Sequence, residues 1–187
     1  RAGRWGHERL TGSDLEDATV VLVGAGSIGA AVEARLVPFG ARIVRIARRP
    51  RPGVHVMADL PTILPTADVV VILLPLTPQT RGVVDASFLA GMRPGALLVN
   101  ASRGAVVDTA ALTAAVLGGR TRAALDVTDP EPLPEGHPLW SAPGVIVTPH
   151  VASDVRHTDE RAWRLAFEQV GRYARGEPLL NVVAEGY

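Results

Sequence analysis

The stretch Val20-Val21-Leu22-Val23-Gly24-Ala25-Gly26-Ser27-Ile28-Gly29 reads as a strand, a tight turn and the start of a helix. Four apolar residues in a row fit a strand covered on both faces of a parallel sheet. The glycines then fall as G-x-G-x-x-G. Gly24 permits the turn, Gly26 lets a pyrophosphate approach the backbone, and Gly29 lets helix and strand pack closely. At Ser27 and Ile28 the new helix offers free N–H groups and its positive dipole end to phosphates. A glycine-rich turn with no ligand is the plain alternative. The strand before the turn and the amphipathic helix after it favour a dinucleotide.

Working outward, further apolar runs occur at Arg42–Ala47, Val54–Met57, Val69–Leu74, Ala96–Asn100, Ala123–Val127 and Val145–Val147. Helix-patterned stretches separate them. Ile28, Ala31, Val32 and Leu36 give the first helix an apolar stripe, with Pro38 in its last turn and Gly40 as its stop. Asp59–Thr66, Asp85–Met92 and Asp108–Leu117 are expected helices, each opened by an aspartate that can cap it. The alternation predicts an α/β fold with a doubly wound, Rossmann-like parallel sheet. Two segments break the rhythm. Thr128–Gly144 carries five prolines and reads as a long ordered loop. After His150 comes a helix with Trp163, Ala166, Phe167, Val170 and Ala174 on one face, closed by Gly176 and followed by an extended tail.

Composition narrows the function classes. At 187 residues the chain suits one α/β domain with a small appendage. The absence of cysteine excludes thiol catalysis and disulfides. Lys+Arg and Asp+Glu balance at 19 each, so no basic footprint for nucleic acid exists. The apolar runs are too short to span a bilayer, which also argues against a membrane partner. No signal peptide is evident, and a cytoplasmic location is the expectation.

Chemistry-bearing residues follow the predicted strand ends. About 20 positions beyond the glycines, where a carboxylate would meet a ribose 2′-hydroxyl, the sequence reads Ala47-Arg48-Arg49-Pro50-Arg51. Arg48 and Arg49 are placed to meet a 2′-phosphate, so NADP is the preferred cofactor and NAD the second choice. Arg51 is read as a solvated loop charge. Asn100-Ala101-Ser102-Arg103-Gly104 puts an arginine at a strand's carboxyl end, where its planar fork suits a carboxylate or a 2-oxo acid. Asp126 ends another strand and leads to Glu131. Thr148-Pro149-His150 follows the last strand, and a histidine oriented by a carboxylate can donate a proton to a ketone near neutral pH. Singly, Arg103, Glu131 and His150 each have a duller reading as surface charge or capped turn.

From about Arg4 to Ala152 the chain resembles the cofactor domain of the D-isomer-specific 2-hydroxyacid dehydrogenases. The phrases that carry the likeness are Leu74-Pro75-Leu76-Thr77-Pro78-Gln79-Thr80-Arg81, Asn100 through Asp108, Leu125-Asp126-Val127, Glu131-Pro132-Leu133-Pro134, His137-Pro138-Leu139-Trp140 and Thr148-Pro149-His150. The resemblance implies that Arg103 holds the substrate's carboxylate and carbonyl. It implies that His150 exchanges a proton with the carbonyl oxygen and that Glu131 bonds to His150, favouring its imidazolium. Asp126 would fix the nicotinamide carboxamide, with Pro75, Thr80, Ala101 and Ser102 along the cofactor. Glu131 stands where the formate dehydrogenase branch places glutamine.

The resemblance also implies domain limits of 1–152 for the dinucleotide-binding domain, with 1–17 as an interdomain connector, and 153–187 for a helix and tail. The family's N-terminal substrate domain has no counterpart here, so the chain alone is expected to be inactive. A small 2-oxo or 2-hydroxy acid is the implied substrate and a homodimer the implied assembly. The alternative is a non-catalytic, NAD(H)-sensing module of the corepressor kind, which keeps the same three residues. An L-type lactate or malate dehydrogenase orders its histidine and arginine differently and fits poorly.

Overall fold

The computed structural model describes residues 13–182. Strands β1 (Thr19–Val23), β2 (Arg42–Ala47), β3 (His55–Val56), β4 (Val69–Ile72), β5 (Leu97–Asn100), β6 (Arg122–Leu125) and β7 (Val145–Val147) form one sheet. Its order is β3-β2-β1-β4-β5-β6-β7 and every pairing is parallel. The doubly wound α/β expectation holds. Chain direction across the sheet reverses between β1 and β4, and in open sheets of this kind ligands bind at that switch point, beyond the strands' carboxyl ends.

The unbroken apolar run of β1 has a simple cause. Successive side chains point to opposite faces, and both faces are covered. Val21 and Val23 enter one core with Ile46, Val70, Ile72 and Leu98. On that side lie Phe88 and Leu89 of α3 (Ala86–Gly91) and Leu112 and Val116 of α4 (Thr109–Leu117). Val20 and Leu22 enter the other core with Val71, against Val32 and Leu36 of α1 (Ser27–Leu36).

The first helix departs from expectation on one flank. Ile28 is 65% exposed and Ala31 is exposed, while Gly29 is buried. The inward face therefore runs Gly29, Val32, Leu36. Gly40 closes the 3-10 turn after α1 in the left-handed conformation, φ 81°, as a stop glycine does.

Asp85 and Asp108 cap α3 and α4, accepting the N–H of Phe88 at 2.8 Å and of Ala111 at 3.0 Å. Asp59 does not cap the segment that follows it. Its carboxylate accepts the N–H of Val56, and the expected helix is one short turn, α2 (Leu60–Ile63), between two 3-10 turns. Pro61 falls in the first turn, where its missing donor costs little, but Pro65 has no N–H to give to the Pro61 carbonyl, which keeps the segment from lengthening.

The last helix, α5 (Thr158–Ala174), buries none of its residues. Trp163, Phe167 and Val170 stand exposed, with the two rings tilted 6.0 Å apart. Gly176, φ 68°, follows its end. No helix among the described residues is long and apolar enough to cross a membrane. The expected connector lies largely outside the described residues.

Candidate active site

Each glycine of the turn has a measurable reason. Gly24 adopts φ 121°, and a Cβ there would sit 2.5 Å from the Leu73 carbonyl oxygen. A Cβ on Gly29 would sit 2.5 Å from the Gly24 carbonyl oxygen. Gly26 is different, because a Cβ there would meet nothing within 4 Å. Its bare backbone faces open space at the start of α1, which fits a cradle for a pyrophosphate. The turn hangs from β2, since the N–H groups of Gly24 and Ala25 both donate to the Ile46 carbonyl at 3.0 Å. Ser27 and the exposed Ile28 occupy the first turn of α1 on the same side.

Arg48 and Arg49 follow β2 directly and are exposed. Arg51 is not a free loop charge. Its guanidinium donates to the Ala25 carbonyl at 2.5 Å, so it reaches back over the glycine turn. Arg51 and Ala25 border a small cavity of about 150 Å³ with Gly29, Glu33 and Arg45. Pro75 and Thr80 belong to one turn after β4, in which the Thr80 hydroxyl donates to the Pro75 carbonyl at 2.6 Å.

Beyond β5, a buried residue organises the arginine turn. The Asn100 side-chain oxygen accepts from the Ser102 N–H at 3.1 Å and from its hydroxyl at 2.8 Å. The Asn100 amide nitrogen donates to the Arg103 carbonyl at 3.1 Å. Ala101 and Ser102 are thereby set at the sheet edge and the Arg103 side chain stays exposed, bonding to the Ser102 carbonyl. Asn100 thereby holds the turn together, a part that its place at a strand end does not reveal from sequence alone. A buried amide at the end of a strand is the signal that could have marked it.

Beyond β6 and β7 the expected acid and histidine meet. His150 Nδ1 lies 2.6 Å from Glu131 Oε1, and both side chains are a little under half exposed. A carboxylate can only accept, so Nδ1 carries the proton and Nε2 is the ring nitrogen left without one in the neutral ring. His150 itself adopts φ 56°, an uncommon left-handed conformation for a non-glycine residue. Asp126, the residue after β6, is 8% exposed. Burial raises its carboxyl pKa, but hydrogen bonds from Thr148, Ala152 and Val151, with the charge of His150, outweigh burial and hold it below the ordinary value. Among the described residues no cluster of three or more histidine or acidic side chains could hold a metal ion.

All these groups sit at the carboxyl ends of parallel strands, along one edge of the sheet. The family described as D-isomer specific 2-hydroxyacid dehydrogenase, NAD binding domain, matches residues 1–152. The chain is 36% identical over 193 residues to the D-3-phosphoglycerate dehydrogenase of Mycobacterium tuberculosis, covering 100% of this chain and 36% of the relative. It is 37% identical over 177 residues to the human glyoxylate reductase/hydroxypyruvate reductase, covering 91% and 54%. Among solved structures, a D-isomer specific 2-hydroxyacid dehydrogenase from Xanthobacter autotrophicus Py2, in complex with NADPH and MES, superposes with TM-score 0.83. It is 39% identical and is covered to 76%, against 97% of this chain. An NADPH-dependent glyoxylate/hydroxypyruvate reductase from Sinorhizobium meliloti, with NADP and sulfate, gives TM-score 0.84 at 31% identity, covering 94% and 58%. The chain spans between 36% and 57% of the length of the first curated relatives it matches. Fold, glycine turn and family match agree, and the chain belongs to the D-isomer specific 2-hydroxyacid dehydrogenases through their NAD-binding domain.

Proposed function

We propose that this chain is the cofactor-binding part of an NADP-preferring oxidoreductase acting on a small 2-oxo or 2-hydroxy acid, with domain limits of 1–152 and 153–187. The observation that carries the reading is the 2.6 Å contact between His150 and Glu131 on the edge that also bears Arg103 and the glycine turn. Gly24, Gly26, Ser27, Ile28 and Gly29 would hold the pyrophosphate, with Pro75, Thr80, Ala101, Ser102 and Asp126 further along the cofactor. The bound nicotinamide supplies the hydride. Arg103 binds the acid's carboxylate and orients its carbonyl. His150 gives its proton to the carbonyl oxygen on reduction and takes it back on oxidation. Glu131 keeps the ring in the tautomer that leaves Nε2 free for that exchange.

NADP preference is supported by Arg48 and Arg49, which follow β2 directly and are exposed. NADPH or NADP in two structural neighbours agrees with it. A homodimer is part of the same reading, and analytical ultracentrifugation checks it. The test of function is a screen of 2-oxo acids with NADPH, using the full-length protein. Turnover of at least one acid, abolished by His150→Ala, is the expected result. Tight NADPH binding without turnover of any acid would favour the sensing module instead.

A further inference from the structure

Asp126 is the one charged side chain among the buried residues described, and it is tied to the histidine turn rather than to its own strand. The turn Thr148–Ala152 begins after β7 and must carry His150 through a left-handed backbone, a strained conformation that persists only where its surroundings enforce it. Every polar tether of that turn to β6 except one ends on Asp126. Its carbonyl accepts the N–H of His150 at 2.9 Å. Its Oδ1 accepts the Thr148 hydroxyl at 2.6 Å and the Val151 N–H at 2.9 Å. Its Oδ2 accepts the Ala152 N–H at 2.9 Å. The remaining tether runs from the Thr148 N–H to the Leu125 carbonyl.

We infer that Asp126 is a positioning residue for His150: by gripping the turn on both sides of the histidine it sets the ring against Glu131. The two amides it holds, those of Val151 and Ala152, are the ones that follow His150 in the chain. A carboxylate offers about four acceptor sites and the turn uses three of them. One site stays open for the carboxamide contact, so the two roles are compatible. Thr148 shares the task, because its hydroxyl is the shortest of the side-chain tethers.

The claim rests on reading His150 as the proton donor, yet ring placement can be measured without turnover. Nitrogen-15 spectra of the 187-residue chain, taken where the imidazoles are neutral, report which ring nitrogen carries the proton. His150 in the wild type is expected in its Nδ1–H form. Thr148→Val and Asp126→Asn should each lower the ratio of Nδ1–H to Nε2–H forms by about tenfold, the loss of roughly one charge-assisted hydrogen bond. His55, beside Asp59 at the far side of the sheet, should not change. In a Glu131→Ala background, adding Asp126→Asn should change the His150 ratio little, because the two act through one contact. Thr148→Val keeps the Asp126 charge and serves if Asp126→Asn fails to fold. An unchanged His150 tautomer in folded Thr148→Val, or an Asp126 effect of equal size with and without Glu131, overturns the inference. A protein that shows the tautomer shift but turns over no 2-oxo acid would remove the dehydrogenase reading and leave the positioning role intact.

Discussion

Gly104 lies against the backbone of Thr128 so closely that an added Cβ would fall 1.8 Å from its carbonyl oxygen and 2.8 Å from the Asp129 nitrogen. The contact joins the turn that presents Arg103 to the start of the loop that carries Glu131. Thr109 reinforces the seam, its hydroxyl donating to the Asp129 carbonyl at 2.6 Å. Backbone cannot step aside as a flexible side chain can. Gly104→Ala should therefore destabilise the chain by about 1–3 kcal/mol, the usual cost of overpacking. Urea unfolding measures this, and a midpoint equal to the wild type would show that the seam yields freely.

For the reacting groups, Arg103→Ala and His150→Ala in the full-length protein should each lower the rate by about 10²–10⁴-fold. Cofactor affinity should change little, because neither side chain belongs to the glycine turn. Glu131→Gln should be milder, since the amide still fills the place beside the ring but can also donate and so no longer fixes the tautomer. Steady-state kinetics with a 2-oxo acid separates these effects. A Glu131→Gln rate equal to that of the wild type removes the glutamate from the mechanism.

Asp126 makes stability depend on acid. Its folded pKa lies below the ordinary 3.8, so its contribution is fully present above that value. The contribution is lost as pH falls below about 4 toward the folded value. Thermal melts of wild type and Asp126→Asn should differ most near neutrality and converge in acid. A gap between the two that stays constant from pH 7 to about pH 3 contradicts the role.

The sequence carried the fold because its signals are local. Strand, glycine turn and helix follow one another within Val20–Gly29, and each chemical group sits just past a strand end. Chain direction then brings all of them to one edge. Where the reading slipped, the deciding contact was distant or had no side chain. Gly29 replaced Ile28 on the inner face of α1 because the helix touches the Gly24 carbonyl of the turn through bare backbone, which an apolar pattern cannot register. The roles of Asn100 and Gly104, and the grip of Asp126 on a turn more than 20 residues later, depend on neighbours set by sheet order. Arg51 is exposed as expected, and its contact is hidden from the sequence for the same reason, since its partner Ala25 lies 26 residues earlier.

That placement of Arg51 sharpens the cofactor question. Arg48 follows β2, is exposed, and makes no hydrogen bond among the described residues, which leaves its guanidinium available to a 2′-phosphate. Arg51 instead braces the glycine turn through the Ala25 carbonyl. The two arginines should then fail in different ways. A guanidinium–phosphate bond is charge-assisted and roughly twice as strong as a neutral one, but solvent screens an exposed pair. NADPH should bind more tightly than NADH by about 1.4–2 kcal/mol, roughly ten- to thirty-fold. Arg48→Ala should erase most of that difference by weakening NADPH alone. Arg51→Ala should weaken both cofactors alike, because it loosens the turn that meets the pyrophosphate they share. Fluorescence titrations of the chain with each cofactor measure the affinities without any catalysis. Equal or tighter binding of NADH by the wild type defeats the preference, and a selective loss of NADPH in Arg51→Ala would move the phosphate contact from Arg48 to Arg51.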